Sequence, residues 1–278
     1  MMICLSGSVT KIKAQNSIDW GVKSSTRKIL KTCVCIIQLG APGTMASIVQ
    51  FSQLERWTSL TLPTKSYIKS IEIFPGTGMI IIVAFEYNDT SIGSYNEIGL
   101  AVPVKFPPKF IFPGLSAISM MRKNCFSVYI HHLLVTTEIA RKGGVHFYNY
   151  PKFTSEITFQ DQDDKLEVTL RESDELILKM NAEKLPLNRS AQIEFHTYSI
   201  KNNIVMHTLV EGMAPRYGLK MMGHKAKLEL GNHKISQEIA ELNLSKNSFS
   251  GQHAEGMMSK LYSPDRHWDA NTLAAISG

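Results

Sequence analysis

The sequence has no apolar run near the ~20 residues that a membrane-crossing helix requires. Its longest, residues 79–85, is of strand length, so no membrane partner is expected. Cysteine is scarce, at positions 4, 33, 35 and 125 only. Cys33 and Cys35 form one C-x-C with no second pair nearby, whereas zinc modules use two pairs or a pair with clustered histidines. Free thiols in a reducing compartment are the expectation. A Gly-rich phosphate loop is missing, because Gly76-Thr77-Gly78 lacks the further glycine and the following helix. There is no internal repeat and no low-complexity tract. A secretory signal needs ~7–15 apolar residues close to the start, and none lies there, so a cytoplasmic location is expected. Excess charge is also missing from most of the chain. The formal net charge is +6, but residues 1–44 hold +5 of it and the other 234 residues only +1. A basic stripe able to neutralise phosphates is absent, and no nucleic-acid partner is expected.

What is present describes a globular chain. The 278 residues are 44% hydrophobic and 19% charged, enough to bury a core without disulfide or metal staples. The organisation expected is a basic N-terminal extension over 1–44, poorly ordered, followed by one domain over 45–278. Met45 is a candidate alternative start.

Residues 52–57 read as a short helix with Ser52 and Glu55 as a capping box. Short strands follow. Residues 67–74 alternate and stop at Pro75-Gly76. Residues 79–85 are continuously apolar and read as a buried central strand. Residues 100–106 and 126–136 read as further strands. Residues 156–159, 166–170 and 176–180 form a meander with Asp-rich turns, and 193–199 with 204–210 a hairpin. After a strand at 226–230, Ile235, Ile239 and Leu242 recur at helical spacing. The expected fold is mainly β (α+β): an antiparallel, closed or partly closed, cone-shaped β-barrel with a few short helices.

Two segments carry candidate chemistry. One is Gly93-Ser94-Tyr95-Asn96-Glu97, running into Ala101-Val102-Pro103-Val104. The other is Gly144 with Tyr150-Pro151-Lys152 eight residues later. Lys152 follows Phe147, Tyr148, Asn149, Tyr150 and Pro151, a stretch rich in aromatics and free of charge. Burial in such surroundings disfavours an ammonium, and a neutral amine is the form that attacks a ketone. A solvated surface lysine is the ordinary alternative, as a solvated turn acid is for Glu97. His131 and His132 are neighbours in a strand, so alternation places them on opposite faces and no joint metal site is expected. His146 and His233 read as packing or hydrogen-bonding residues.

Taken as an ordered set, Gly93-x-Tyr95-x-Glu97, the strand from Ala101 and Gly144 with Tyr150-Pro151-Lys152 resemble the acetoacetate decarboxylase-like superfamily. Leu230-Gly231-Asn232-His233 before Ile235, Glu238 and Ile239 resembles the family's closing segment, as does Leu261 with Pro264. The resemblance covers roughly residues 46–265. It implies that Lys152 is a Schiff-base lysine and Glu97 an active-site acid. Tyr95 and Tyr150 would line the pocket, and Arg27 is a candidate for the family's substrate-binding arginine, with Lys31 as an alternative. It further implies a small keto-acid substrate, no metal or organic cofactor, and a homo-oligomer.

The sequence departs from that pattern in four places. Phe153 stands where the decarboxylases have a second lysine, an adjacent cation that would help activate the first. Val145-His146 replaces Arg-Glu, Ile82 or Val83 replaces a carboxylate, and the arginine has no clear counterpart. The leading expectation is a lyase that decarboxylates a small β-keto acid. Its competitors are a Schiff-base aldolase or dehydratase on another keto acid, and a β-barrel binding protein without catalysis.

Overall fold

A computed structural model describes residues 26–39, 69–73, 78–105, 115–201, 204–245, 248–264 and 266–269. The helix expected at 52–57 lies outside them. Apolar runs and alternating segments become strands, because both patterns bury side chains on a pleated surface. In chain order these are β1 (Thr26–Leu39), β2 (Lys69–Ser70), β3 (Met79–Thr90) and β4 (Tyr95–Lys105). Helix α1 (Leu115–Lys123), β5 (Cys125–Val135), α2 (Glu138–Tyr148) and β6 (Lys152–Thr154) follow. Then come β7 (Glu156–Asp161), β8 (Lys165–Glu172), β9 (Glu175–Glu183), β10 (Arg189–Lys201) and β11 (Ile204–Lys220). The chain continues through β12 (Ala226–Leu230), α3 (Lys234–Glu241), β13 (Ser250–Leu261) and β14 (Arg266–Asp269).

Ten strands form one large sheet in the order β2-β4-β3-β1-β13-β11-β10-β5-β6, with β14 on β11 and a further pairing of β4 with β5. It curls into a half-barrel. A four-stranded antiparallel sheet, β12-β9-β8-β7, packs outside it. The expected barrel, antiparallel and closed or partly closed, is corrected here to a mixed half-barrel. Strand β5 runs parallel to both β6 and β10. The cause is local to the chain: α2 carries it from the end of β5 back to the start of β6, and a helical crossover joins parallel neighbours. Neither α1 nor α2 is visible in the sequence pattern.

Strand β1 lies between β3 and β13, paired antiparallel to each. Residues 26–39 of the expected N-terminal extension are therefore an inner strand of the large sheet. Of the strand expected over 67–74, residues 69–73 are described, and β2 forms there on the edge of β4. The meander and the 193–210 hairpin form where expected, with longer arms. Ser173 and Asp174 turn from β8 to β9 with positive φ at both residues (48° and 66°), the backbone of the two-residue turns that match strand twist.

The two faces of the large sheet bury different things. Ile81, Val83, Tyr87, Tyr95 and Ala101 point inward, into the half-barrel. Ile82, Ala84, Ile98, Leu100 and Leu134 point outward, against the small sheet and α3. On β5 the alternation changes phase. Phe126, Val128 and Ile130 face inward, and so do Leu133 and Val135. The register shifts here too, with Leu100 opposite His132 but Ala101 opposite Ile130. His131 is the extra residue of a β-bulge. The expectation that His131 and His132 face opposite ways fails for this reason: both rings lie on the outer face, each with Nε2 near Oε2 of Glu238.

Helix α3 forms as its spacing predicts, burying Ile235 and Ile239. His233 caps it, accepting the Ile235 N–H at 3.2 Å through Nδ1, while its Nε2 meets Glu172 at 2.9 Å. This is the hydrogen-bonding role expected of His233. No helix among the described residues is long and apolar enough to cross a membrane.

Candidate active site

Lys152 opens β6, at the point where α2 ends. Asn149 takes the left-handed conformation (φ 51°), a common helix stop, and the Tyr150 N–H returns to the Gly144 carbonyl at 3.2 Å. Pro151 cannot continue a helix. The chain then pairs with β5, Lys152 opposite Leu133. Because Leu133 faces inward, so does Lys152, and its side chain runs across α2 at Gly144. A Cβ on Gly144 would lie 2.3 Å from Cδ and 2.6 Å from Cε of Lys152. The glycine is required for this close approach, which explains its spacing from the lysine.

Glu97 arrives from the other side. The turn before β4 passes through Gly93 at φ 90°, a conformation that favours glycine. Its closure is fixed by Thr90, whose Oγ1 donates to the Gly93 carbonyl at 2.6 Å. From there Tyr95, Glu97, Gly99 and Ala101 share the inner face. Glu97 is opposite Val135, two residues along β5 from the partner of Lys152. Lys152 Nζ donates to Glu97 Oε2 at 2.6 Å, with both side chains over nine-tenths buried. The pair joins two sites 55 residues apart in sequence.

Both groups face a cavity of about 90 Å³. Ile81, Val83, Val128, Ile130, Phe195 and Val210 give it apolar walls, and Gly99 leaves room beside Val83 and Leu133. Its few lining residues with a polar group besides the ion pair are Tyr87, Tyr150, Thr197 and Ser259. Thr197 Oγ1 donates to the Thr208 carbonyl at 3.0 Å. Tyr150, 2.7 Å from the same oxygen, is therefore the donor of that second bond. Burial pushes the Tyr150 phenol above its ordinary range, so it remains a protonated donor. In such an apolar space a charge is expensive unless it is paired. The Lys152–Glu97 contact satisfies both partners and also leaves a proton-transfer path one hydrogen bond long.

Among the other expected site residues, Tyr150 lines the cavity. Tyr95 does not; it is buried one layer behind, its ring 4.6 Å from that of Tyr87. Burial, and then the negative charge of Glu97, raises its phenol above the ordinary range. Arg27 lies on β1 opposite Lys260, while Thr26 and Lys28 lie opposite the cavity-lining Leu261 and Ser259. Of the two residues proposed to stand for the family carboxylate, Val83 lines the cavity and Ile82 faces outward. Phe153 also faces outward, edge-on to the His132 ring at 6.1 Å. Thr197 and Ser259 were not anticipated, and nothing in their strand patterns marks them.

Among the described residues, two groups outside the cavity have metal-ligating side chains clustered together: His131, His132 and Glu238, and Cys125, Glu194 and His196.

Comparison with known proteins agrees with the fold. A family model described as acetoacetate decarboxylase matches residues 68–264. No curated protein sequence matches. A solved acetoacetate decarboxylase is similar with a TM-score of 0.55 at 16% identity, over 92% of this chain and 94% of that one. The acetoacetate decarboxylase of Legionella pneumophila gives a TM-score of 0.53 at 14% identity, over 92% and 96%. The enduracididine biosynthesis enzyme MppR, complexed with the condensation product of pyruvate and imidazole 4-carboxaldehyde, gives 0.54 at 7% identity, over 89% of each chain.

Proposed function

The chain belongs to the acetoacetate decarboxylase family, and on that premise we propose that it is a Schiff-base-forming lyase that decarboxylates a small β-keto acid such as acetoacetate. The observation that carries this reading is the buried Lys152–Glu97 pair at 2.6 Å facing a small apolar cavity.

In this mechanism Glu97 takes a proton from the Lys152 ammonium, and the free amine attacks the ketone carbon. The carbinolamine loses water, using a proton returned by Glu97, and leaves a protonated imine. The bond from Cα to the carboxylate then breaks. Its electron pair moves toward the iminium nitrogen, carbon dioxide departs, and an enamine remains. Protonation at carbon regenerates an iminium, and water releases acetone and the lysine. The net change is one keto-acid anion plus one proton giving one ketone and carbon dioxide. The apolar walls favour this step, since charge is dispersed as the carboxylate becomes neutral carbon dioxide. Tyr150 is a wall with its hydroxyl held by Thr197, and Tyr95 supports Tyr87 from behind.

The test is borohydride reduction in the presence of acetoacetate, followed by peptide mapping, alongside carbon dioxide release. A reduced adduct on Lys152 with stoichiometric carbon dioxide is the expected result. Absence of any adduct across a panel of keto acids overturns it.

A second reading keeps the same lysine for aldol or dehydration chemistry on another keto acid. It is favoured by Val83 and Phe153, which leave the site short of the charged groups expected of the decarboxylases, and by the resemblance to MppR. An adduct on Lys152 without carbon dioxide release selects it.

A further inference from the structure

The wall strand β5 also carries a cluster on its other face that the proposed reaction does not use. We propose that His131, His132 and Glu238 are the ligands of one divalent transition-metal ion of the zinc type, which fastens α3 to the bulge of β5. The carrying observation is the bulge itself. In a regular strand these histidines would face apart; the extra residue turns both toward the same helix.

The distances suit an ion. Glu238 Oε2 is 2.8 Å from His132 Nε2 and 3.4 Å from His131 Nε2. The three donor atoms all lie within 4.8 Å of one another. Zinc bonds of ~2.0–2.2 Å in a tetrahedron set neighbouring donors roughly 3.3 Å apart. Insertion therefore needs the shorter contact to open by about half an ångström, within reach of one carboxylate rotation. Two imidazoles with one carboxylate select zinc-type ions over calcium or magnesium, which prefer all-oxygen shells.

The ligands are also held in advance. The His131 and His132 rings meet edge to face at 4.2 Å, and His132 is braced by Phe153. Ile235 and Ile239, both buried, fix the turn of α3 that presents Glu238. Lys234 on the α3 side places a positive charge near His132, and the Glu238 carboxylate offsets it. Glu238 keeps about a quarter of its side chain exposed, so an ion and a fourth, water ligand can reach the site. Three protein ligands with one open position is a common zinc arrangement.

The test uses the full chain stripped with a chelator and titrated with zinc chloride by calorimetry, with metal content measured after gel filtration. One zinc per chain, a raised Tm, and loss of both in H132A and E238Q but not in C125S are expected. Borohydride trapping at Lys152, or circular dichroism where no trapping occurs, checks that the variants fold. Zinc K-edge X-ray absorption on the unsubstituted protein needs no variant: two imidazoles with oxygen in the first shell support the site. Sulfur in that shell, loss of binding in C125S instead, or no retained zinc would overturn it.

Discussion

Strands β4 and β5 place a polar cluster on each of their faces, and the two clusters follow different rules. On the inner face a cation and an anion pair across an apolar cavity, 2.6 Å apart. On the outer face two imidazoles share one carboxylate beneath a helix. The inner pair has free space beside it; the outer cluster borders the core that joins the two sheets. A charge facing a cavity is available for chemistry with whatever enters. A cluster clamped between a strand and a helix is suited to holding elements together. Function is therefore expected to be sensitive on the inner face and stability on the outer one.

The largest effect expected is from Lys152→Met. Adduct trapping and carbon dioxide release should both fall to background, while the melting profile stays cooperative. Activity surviving in that variant would remove the inner face from the chemistry altogether. Glu97→Gln is next. Losing a general acid–base group costs ~10²–10⁴-fold in rate, and the adduct should still form, more slowly. An unchanged kcat would reduce Glu97 to an ion partner.

Gly144→Ala sharpens the comparison from a third residue. Its methyl group would displace the Lys152 side chain by steric contact at Cδ and Cε. Misplacing a reacting group by about an ångström costs ~10²-fold, so trapping rate should drop with little change in zinc binding at the outer cluster. Leu134→Ala should do the reverse. Leu134 is fully buried in the outer core, and removing such a side chain costs about 2–5 kcal/mol. Denaturant unfolding should register that loss while kcat of the folded protein holds.

The smallest effect expected is on pH. Burial lowers the affinity of His224 and His253 for protons in the folded state. Below about pH 6.5 the unfolded chain binds protons that the folded chain refuses. Stability should therefore decline as pH falls through that value and be unaffected above it. His224→Asn, which keeps a polar group near Ser248, should flatten the decline in a series of chemical denaturations.

Much of the inner face was legible in the chain. The aromatic, uncharged approach drew attention to Lys152, the resemblance of the ordered motifs to a known family set Glu97 beside it, and the apolar run at 79–85 marked a buried central strand. The reason for Gly144 was not legible, because a close approach between a helix and a side chain leaves no periodicity. Nor was α2, whose Gly143 and Gly144 weaken its helical signal. The positions of β1 and of Tyr95 depended on which strands pair, and pairing is nonlocal.

The sequence by itself determined which segments extend and which glycines and prolines turn them. Those properties are local: each rests on a residue's own backbone preferences and near neighbours. Only the tertiary structure decided that Lys152 and Glu97 meet, that β5 runs parallel to β6, and that His131 and His132 face one helix. The last came down to a single extra residue opposite β4, since a strand alternates its faces only until its partner slips register.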